Sequence, residues 1–173
     1  MKILEYPETR QTFNFDCGAN ALVSTLVFCG IEEREDRVAA LARTTKAGTS
    51  TEGILRVMDY YGLPHAARER MQPVDLRNAV DEGHPTLVTL QAYRESNQPY
   101  RGLWQDGHWT VAIGYDEHRI FFEDPSAFHR TWLADEELRQ RWHDVNHGKR
   151  IFSWGCTVEV AGQYHHDQHF HME

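Results

Sequence analysis

The chain has 173 residues, of which 40% are hydrophobic and 25% charged, and its formal net charge is −8. This composition fits one globular domain with a packed core and excludes a disordered or collagen-like chain. The negative charge argues against nucleic acid as a general partner, because it repels phosphate groups. Residues 1–7 lack the apolar segment of a signal peptide, and the apolar stretch 19–29 is too short to span a bilayer. We therefore expect a cytoplasmic protein without membrane association.

The first half of the chain is predicted to be mostly helical. After an extended segment over residues 1–16, apolar residues at helical spacing predict a buried helix that begins near Cys17, with Asp16 as its cap and Gly30 as its stop. Proline and glycine positions and apolar spacing predict three further helices, over residues 32–43, 51–61 and 74–82.

Strands dominate the second half. Residues 86–91, 109–115, 119–123 and 151–160 are predicted strands, and residues 135–143 are a predicted helix. The polar loop 92–107 is long enough to indicate a lid or a binding wall. Helices followed by strands are typical of an α+β domain, here over residues 1–162, and the His-rich tail 163–173 is predicted to be disordered.

Cys17 is the candidate nucleophile among three cysteines. It lies at the predicted start of a helix, where the dipole and free N–H groups favour a thiolate and can hold an oxyanion. Gly18 beside it would leave room for a substrate. The alternative is a buried core thiol, and position alone leaves both open. Cys29 and Cys156 are expected to be packing residues, with neither a disulfide nor a structural zinc site.

His108 is the candidate base among eleven histidines. It follows Gly107 and the long loop and opens the apolar strand that begins at Trp109, so it is expected to face a cleft. The alternative is a hydrogen-bonded structural histidine. Gln11, six residues before Cys17, has an amide that could donate to an oxyanion, although a solvated loop glutamine fits the sequence as well.

Asp124 is the candidate group that orients the base. A three-residue loop at 116–118 would set Thr110 opposite Asp124, which makes His108 and Asp124 diagonal neighbours about 7–8 Å apart at Cα. A two-residue turn would put them on opposite faces unless a bulge intervened. The sequence leaves the register open, and Asp124 followed by Pro125 also fits a simple strand-end turn.

Three segments resemble the C39 family of papain-like cysteine peptidases. Residues 11–22 read QTFNFDCGANAL, which has the family's Gln, then Asp-Cys-Gly, then an apolar helix. Residues 107–116 resemble its histidine strand, and residues 122–125 resemble the motif of its third catalytic member. Residues 49–63 and 85–88 are also similar, so the resemblance spans roughly residues 11–133.

The resemblance implies a papain-like fold, with an N-terminal helical half packed on a C-terminal antiparallel sheet. It implies a cysteine peptidase or amide hydrolase, acting on a peptide or amide substrate without cofactor or metal. Cys17 would be the nucleophile, His108 the base, Asp124 the orienting group and Gln11 the oxyanion donor. The expected substrate-binding residues are Gly18, Gly107 and Trp109, and Trp104 and Tyr100 are further candidates to line the cleft.

The best-known members of this family are domains of peptide-exporting ABC transporters that remove double-glycine leader peptides. This sequence has no transporter segments and no nucleotide-binding motif, and it resembles the stand-alone branch. Double-glycine specificity is therefore not implied.

Two other classes of function remain open. A papain-like fold can persist as a peptide-binding module after catalysis is lost, although no residue of the expected catalytic set is missing here. The tail could also bind a metal through its imidazoles, but a solvated tail without supporting contacts is favoured. Its histidines are His165, His166, His169 and His171.

Overall fold

The computed structural model describes residues 1–94, 97–169 and 171–172. Residues 95 and 96 of the predicted loop, and 170 and 173 of the predicted tail, lie outside the described residues. The helices of the described chain are α1 (Cys17–Phe28), α2 (Glu35–Ala42), α3 (Thr51–Tyr60), α4 (Pro73–Asp81) and α5 (Asp135–Arg141). The strands are β1 (Lys2–Ile3), β2 (His65–Arg68), β3 (Thr86–Gln91), β4 (Gly107–Tyr115), β5 (Arg119–Glu123), β6 (Thr131–Ala134), β7 (His143–Asn146), β8 (Lys149–Phe152) and β9 (Gly155–Val158).

The main sheet is antiparallel, in the order β2-β9-β3-β4-β5-β6, with β1 also paired to β4. Its central strand β3 is buried at every position, because helices cover both faces of the sheet. Helices α1 to α3 pack on one face around an apolar cluster that includes Leu22, Leu26, Ile54 and Val111. Helices α4 and α5 pack on the other face, around a second cluster that includes Leu76, Leu138, Ala112 and Phe122. The α+β fold class is confirmed.

The predicted helix starts have separate local causes. Ser50 caps α3 by accepting a hydrogen bond from Gly53 N–H at 3.1 Å. Pro73 occupies the first turn of α4, where its missing N–H costs nothing. Asp16 does not cap α1: both of its carboxylate oxygens accept from Phe13 N–H, closing the turn before the helix. The prediction of Asp16 as a cap is therefore wrong.

The C-terminal third departs most from the predicted elements. The predicted helix 135–143 ends at Arg141, because His143 begins a small second sheet of β7 and β8. The single predicted strand 151–160 divides into β8 and β9 at Ser153, whose φ of 45° breaks the extended backbone. Strand β2 pairs with β9 at the edge of the main sheet, and neither β2 nor β6 was predicted.

A β-bulge between β4 and β5 sets the register at the candidate site. Asp116 N–H donates to Arg119 C=O at 3.0 Å, so the connection is a two-residue turn. That register shifts by one residue between Ala112 and Gly114. Beyond the bulge Val111 faces Glu123, so Thr110 lies opposite the next residue, Asp124. The bulge thus brings His108 and Asp124 to one face of the sheet. This is the second of the two expected arrangements, a two-residue turn combined with a bulge.

The segment before α1 is fixed to both halves of the domain. Tyr6 Oη lies 2.9 Å from Thr25 Oγ1 on α1, and Asn20 Nδ2 donates to Arg10 C=O at 2.9 Å. Gln11 N–H donates to Pro125 C=O at 3.0 Å, just beyond β5. These contacts place Gln11 between the helix that carries Cys17 and the strand that ends at Asp124. No helix of the described residues is long and apolar enough to cross a bilayer.

Candidate active site

Cys17 is the first residue of α1 and is only 6% exposed. Its Sγ accepts a hydrogen bond from Trp109 N–H at 3.5 Å and contacts the side chain of His108. Because no side chain caps α1, the N–H groups of its first turn remain available beside the sulfur. The helix dipole and these donors favour negative charge at this position.

His108 lies between Cys17 and Asp124. Its Nε2 is 2.8 Å from Asp124 Oδ1, and both side chains are almost completely buried. Since Nε2 is engaged by the carboxylate, Nδ1 is the ring nitrogen left for the sulfur. The described chain therefore brings together the thiol, the imidazole and the carboxylate that the sequence predicts.

His108 and Asp124 each stabilise the charged form of the other. Burial alone would lower the pKa of His108, but hydrogen bonds with Asp124 and Cys17 outweigh it and raise that pKa to about 9. Burial would raise the pKa of Asp124, but the contact with His108 and further hydrogen bonds hold it below its usual range. An imidazolium–carboxylate pair is the arrangement that these shifts favour.

Tyr93 covers the pair from the start of the long loop. Its hydroxyl donates to Asp124 Oδ2 at 2.6 Å, and its ring meets the His108 ring edge-on at 5.5 Å. Its φ of 57° lies in the left-handed region, which is rare for an aromatic residue. Sequence reasoning missed Tyr93, because nothing in the pattern of a polar loop indicates which side chain folds back.

Gln11 lies beside the site but holds other partners. Its Nε2 donates to Phe13 C=O at 2.7 Å, and its Oε1 accepts from Ser126 Oγ at 2.8 Å. The Ser126 contact fixes the amide next to Asp124. Because one N–H of the amide is used by Phe13, only the second N–H could donate to an oxyanion. The role of Gln11 as oxyanion donor stays a prediction.

Gly18 and Trp109 shape the wall behind the sulfur. A Cβ at Gly18 would lie 2.6 Å from Thr49 Cβ and 2.8 Å from Trp109 Cδ1. The space expected for a substrate on that side of Gly18 is therefore filled by packing. Trp109 is 5% exposed and donates from Nε1 to Thr49 C=O at 2.8 Å, which fixes the loop before α3.

A cleft of about 360 Å³ opens at Cys17. Trp109 and Trp104 line it, and the ring of Trp104 contacts that of His143 in a tilted arrangement with centroids 4.4 Å apart. Tyr100, the other aromatic residue predicted for the cleft, instead lines a separate cavity at His108 and Asp124. The remaining lining of the cleft comes from Asn14, Phe15, Lys46, Ala47, Gly48, Thr49, Gln105, Gly107, Asp144 and Val145.

Asp144 is a second residue that sequence reasoning missed. A Cβ at Gly107 would lie 2.5 Å from Asp144 Oδ1, so the glycine makes room for this carboxylate. A signal was present in the sequence: Thr89 and Gln91 are polar residues at alternate positions of a strand with an apolar centre, so they indicate a buried polar partner.

The other two cysteines lie away from the cleft in the apolar cluster on the α1 face. Burial raises the pKa of the Cys29 thiol to about 11 and that of Cys156 to about 12. Both sulfurs are therefore poor nucleophiles at neutral pH.

The described tail residues lie at the far end of α1. Gln163 N–H donates to Phe28 C=O at 2.8 Å, and His165 and His166 both contact the exposed carboxylate of Glu5. Cys17 and Phe28 lie at opposite ends of α1, roughly 16 Å apart along the helix axis. The predicted disorder of residues 163–173 stays a prediction.

Comparison with known proteins supports the same reading of the fold. The sequence profile of the peptidase C39 family matches residues 5–146. An uncharacterized protein of Methanothermobacter marburgensis is 26% identical over 117 residues, which make up 68% of this chain and 70% of that protein.

Solved structures of C39 domains are also similar. The peptidase domain of Streptococcus ComA, a bifunctional ABC transporter of quorum sensing, has a TM-score of 0.66 and 17% identity over 91% of this chain and 98% of that one. A protein from Bacillus anthracis described as C39-like has a TM-score of 0.71 and 15% identity over 94% and 100%. A double-glycine-motif protease of a transporter, solved with its leader peptide, has a TM-score of 0.64 and 16% identity over 91% and 92%.

Proposed function

The chain belongs to the peptidase C39 family, and from this premise we propose that it is an active cysteine peptidase with Cys17 as nucleophile. His108 is its general base and acid, Asp124 orients the imidazole, and the substrate is a peptide or another amide. The observation that carries the proposal is the position of His108, which contacts Cys17 on one side and Asp124 Oδ1 at 2.8 Å on the other.

The reaction would run in two halves. The Cys17 thiolate, paired with the His108 imidazolium, attacks the carbonyl carbon of the scissile amide. N–H groups of the first turn of α1, together with Gln11, hold the oxyanion that forms. His108 then gives its proton to the leaving amine, which departs and leaves a thioester on Cys17.

The second half returns the enzyme to its starting state. Neutral His108 takes a proton from water, and the hydroxide adds to the thioester carbonyl. Collapse of that intermediate expels the Cys17 thiolate and releases the carboxylic acid, while His108 keeps the proton. Asp124 stabilises the imidazolium at both stages because it accepts a hydrogen bond from Nε2.

Alkylation of Cys17 tests the ion pair without a known substrate. We expect iodoacetamide, applied from pH 4 to 9 and mapped by mass spectrometry, to modify Cys17 rapidly well below pH 8 and much more slowly in His108→Ala. Cys29 and Cys156 are internal controls in the same molecule, because burial raises the pKa of both thiols. A Cys17 that reacts no faster than these two, and that is indifferent to His108→Ala, would favour a catalytically silent peptide-binding module.

Turnover provides the second test. We expect a mixture of peptides to be cleaved by the wild-type chain and not by Cys17→Ala, since the thioester cannot form without the sulfur. Cleavage that is undiminished in Cys17→Ala would contradict the proposed nucleophile.

A further inference from the structure

A carboxylate without a cationic partner lies in the wall of the Cys17 cleft. Asp144, on β7, is held by hydrogen bonds from Thr89 Oγ1, from Gln91 Nε2 at 3.2 Å and from Val145 N–H at 2.8 Å. Among the ion pairs of the described residues none includes Asp144, and Lys46, the cation that lines the same cleft, does not reach it. His143 precedes Asp144 on β7, and its ring Nε2 lies 2.7 Å from Leu103 C=O.

The hydrogen bonds leave the carboxylate able to accept more. A carboxylate has about four acceptor positions, and three donors use them here. Burial nevertheless raises the pKa of Asp144, so these neutral donors do not fully replace the water that was lost. A cation brought by a ligand would supply the missing compensation.

The support of Asp144 is rigid. Gln91 is fully buried, donates to His143 C=O at 3.1 Å and accepts from Asp106 N–H at 3.0 Å. It therefore joins β7 to the base of the long loop as well as orienting Asp144. A carboxylate fixed by such contacts meets a ligand in one geometry, which favours recognition.

The carboxylate is also next to the reacting groups. Its oxygens occupy the space beside Gly107, and Gly107 directly precedes His108. We propose that Asp144 is a specificity-determining residue, which binds a positively charged nitrogen group of the substrate close to the scissile bond. That group is either the ammonium or guanidinium of a basic side chain or the free α-ammonium of the peptide. This inference rests on the proposed function for the identity of the cleft.

Charged thiol reagents test the subsite without turnover. Methanethiosulfonates transfer an alkylthio group to a thiolate and release sulfinate, and they exist as matched aminoethyl, propyl and sulfonatoethyl forms. We expect Cys17 of the wild-type chain to prefer the aminoethyl over the propyl reagent, and Asp144→Asn to reduce that rate ratio roughly three- to tenfold. Asparagine keeps the size and most hydrogen bonds of the side chain.

A matched variant separates the subsite from the general negative field of the protein. Glu52→Gln removes the same charge from the neighbouring cavity, where Glu52 binds Asn146 Nδ2 at 3.1 Å. We expect it to leave the rate ratio within twofold. Equal losses in both variants, or a wild-type ratio that shows no preference for the cation, would overturn the proposal. The wild-type ratio can overturn the proposal by itself, even if Asp144→Asn does not fold.

Peptidyl vinyl sulfones distinguish the two sources of positive charge. Three probes share one scaffold: acetyl-capped with lysine, acetyl-capped with norleucine, and norleucine with a free amine. Faster labelling of Cys17 by the lysine probe assigns Asp144 to a side chain, and faster labelling by the free amine assigns it to the α-ammonium. Equal labelling by all three overturns the proposal. Alkylation of Cys17 in the wild-type chain and in His108→Ala tests the proposed function separately. A failure of the Asp144 subsite can therefore be distinguished from a failure of the proposed function.

Discussion

The imidazole of His108 couples the protonation of the site to the stability of the fold. Its pKa in the folded chain is about 9, above the ordinary value of 6.5, because Asp124 and Cys17 outweigh its burial. Between these two values the imidazole of His108 binds more protons in the folded state than in the unfolded state. The stabilisation is therefore complete below pH 6.5 and is lost as the pH rises through 9.

Replacing the carboxylate should flatten this pH dependence. We expect the free energy of unfolding of the wild-type chain to fall by about 1–3 kcal/mol from pH 6.5 to 9 through this group. Asp124→Asn should lose much less over the same range, because the neutral amide no longer stabilises the imidazolium. Urea unfolding at constant ionic strength measures both slopes.

Asp116→Asn is the control on the same hairpin. The hydrogen bond with Arg119 holds the pKa of Asp116 at about 2, so this carboxylate keeps its charge between pH 6.5 and 9. The variant should change the stability at both pH values equally. Equal slopes in the wild-type chain and in Asp124→Asn would contradict the assignment of the pH dependence to this pair.

Residue identity alone did not fix the partner of each polar group. Asp16 precedes a helix and fits a cap in sequence, but in the fold its carboxylate binds Phe13 N–H. Gln11 fits an oxyanion donor, yet its side-chain amide donates to Phe13 C=O and accepts from Ser126 Oγ. Several acceptors and donors lie within reach of each side chain, and tertiary packing selects among them. The positions of Cys17 and His108 were predictable because each stands at the start of a strongly apolar element.

At the scale of elements, the bulge in β4 decides whether the site can assemble. Neither the turn length nor the bulge can be read from the sequence. Two registers were therefore possible, and only the structure shows that His108 and Asp124 lie on the same face of the sheet. The bulge lies where β1 joins β4, and Leu4 N–H donates to Ile113 C=O at 2.8 Å. Two residues at the N-terminal end of the chain thus support a backbone irregularity that no local pattern predicts.

Gly114 should be sensitive to any added side chain. Its Cβ would lie 2.7 Å from Lys2 C=O and 2.9 Å from Ile3 Cα, which are backbone atoms that cannot move without shifting β1. We expect Gly114→Ala to lower the free energy of unfolding by about 1–3 kcal/mol, as overpacking does elsewhere. Thermal or urea unfolding measures the loss.

Gly102 offers the matched control. A Cβ there would meet nothing within 4 Å, so Gly102→Ala should change the free energy of unfolding by no more than about 0.5 kcal/mol. If the two variants are equally stable, close backbone approach at Gly114 does not contribute to holding β1 in place.

At the scale of the whole molecule, Glu123 ties the N-terminal segment to the sheet. This carboxylate is buried, with a side chain 1% exposed, and it pairs with Arg10 at 3.0 Å and with Arg130. Arg130 also donates to Tyr6 C=O, and Thr9 N–H donates to Glu123 at 2.9 Å. The network holds the segment that carries Gln11 against the strand that ends at Asp124.

Removing one arginine of this buried network should lower the free energy of unfolding more than removing an arginine from an exposed ion pair. We expect Arg130→Met to lower the free energy of unfolding by about 2 kcal/mol, because Glu123 remains buried with only Arg10 to compensate it. Arg34→Met removes the same group from the exposed pair with Asp36 and should cost much less, because solvent screens exposed ion pairs. Chemical unfolding of both variants measures the difference, and a smaller loss for Arg130→Met than for Arg34→Met would contradict the network's role.

The pair of His108 and Asp124 also borders a cavity that is separate from the Cys17 cleft. The cavity behind Tyr93, about 330 Å³, is lined by His108 and Asp124 together with Thr110, Trp132 and Arg141, and it lies apart from the residues around Cys17. A small molecule bound there would draw the Tyr93 hydroxyl away from Asp124 without occupying the Cys17 cleft. Such a molecule would lower the maximal rate of the proposed peptidase without competing with substrate, and its selectivity would depend on Tyr93, Tyr100 and Trp132, which line this cavity and not the Cys17 cleft.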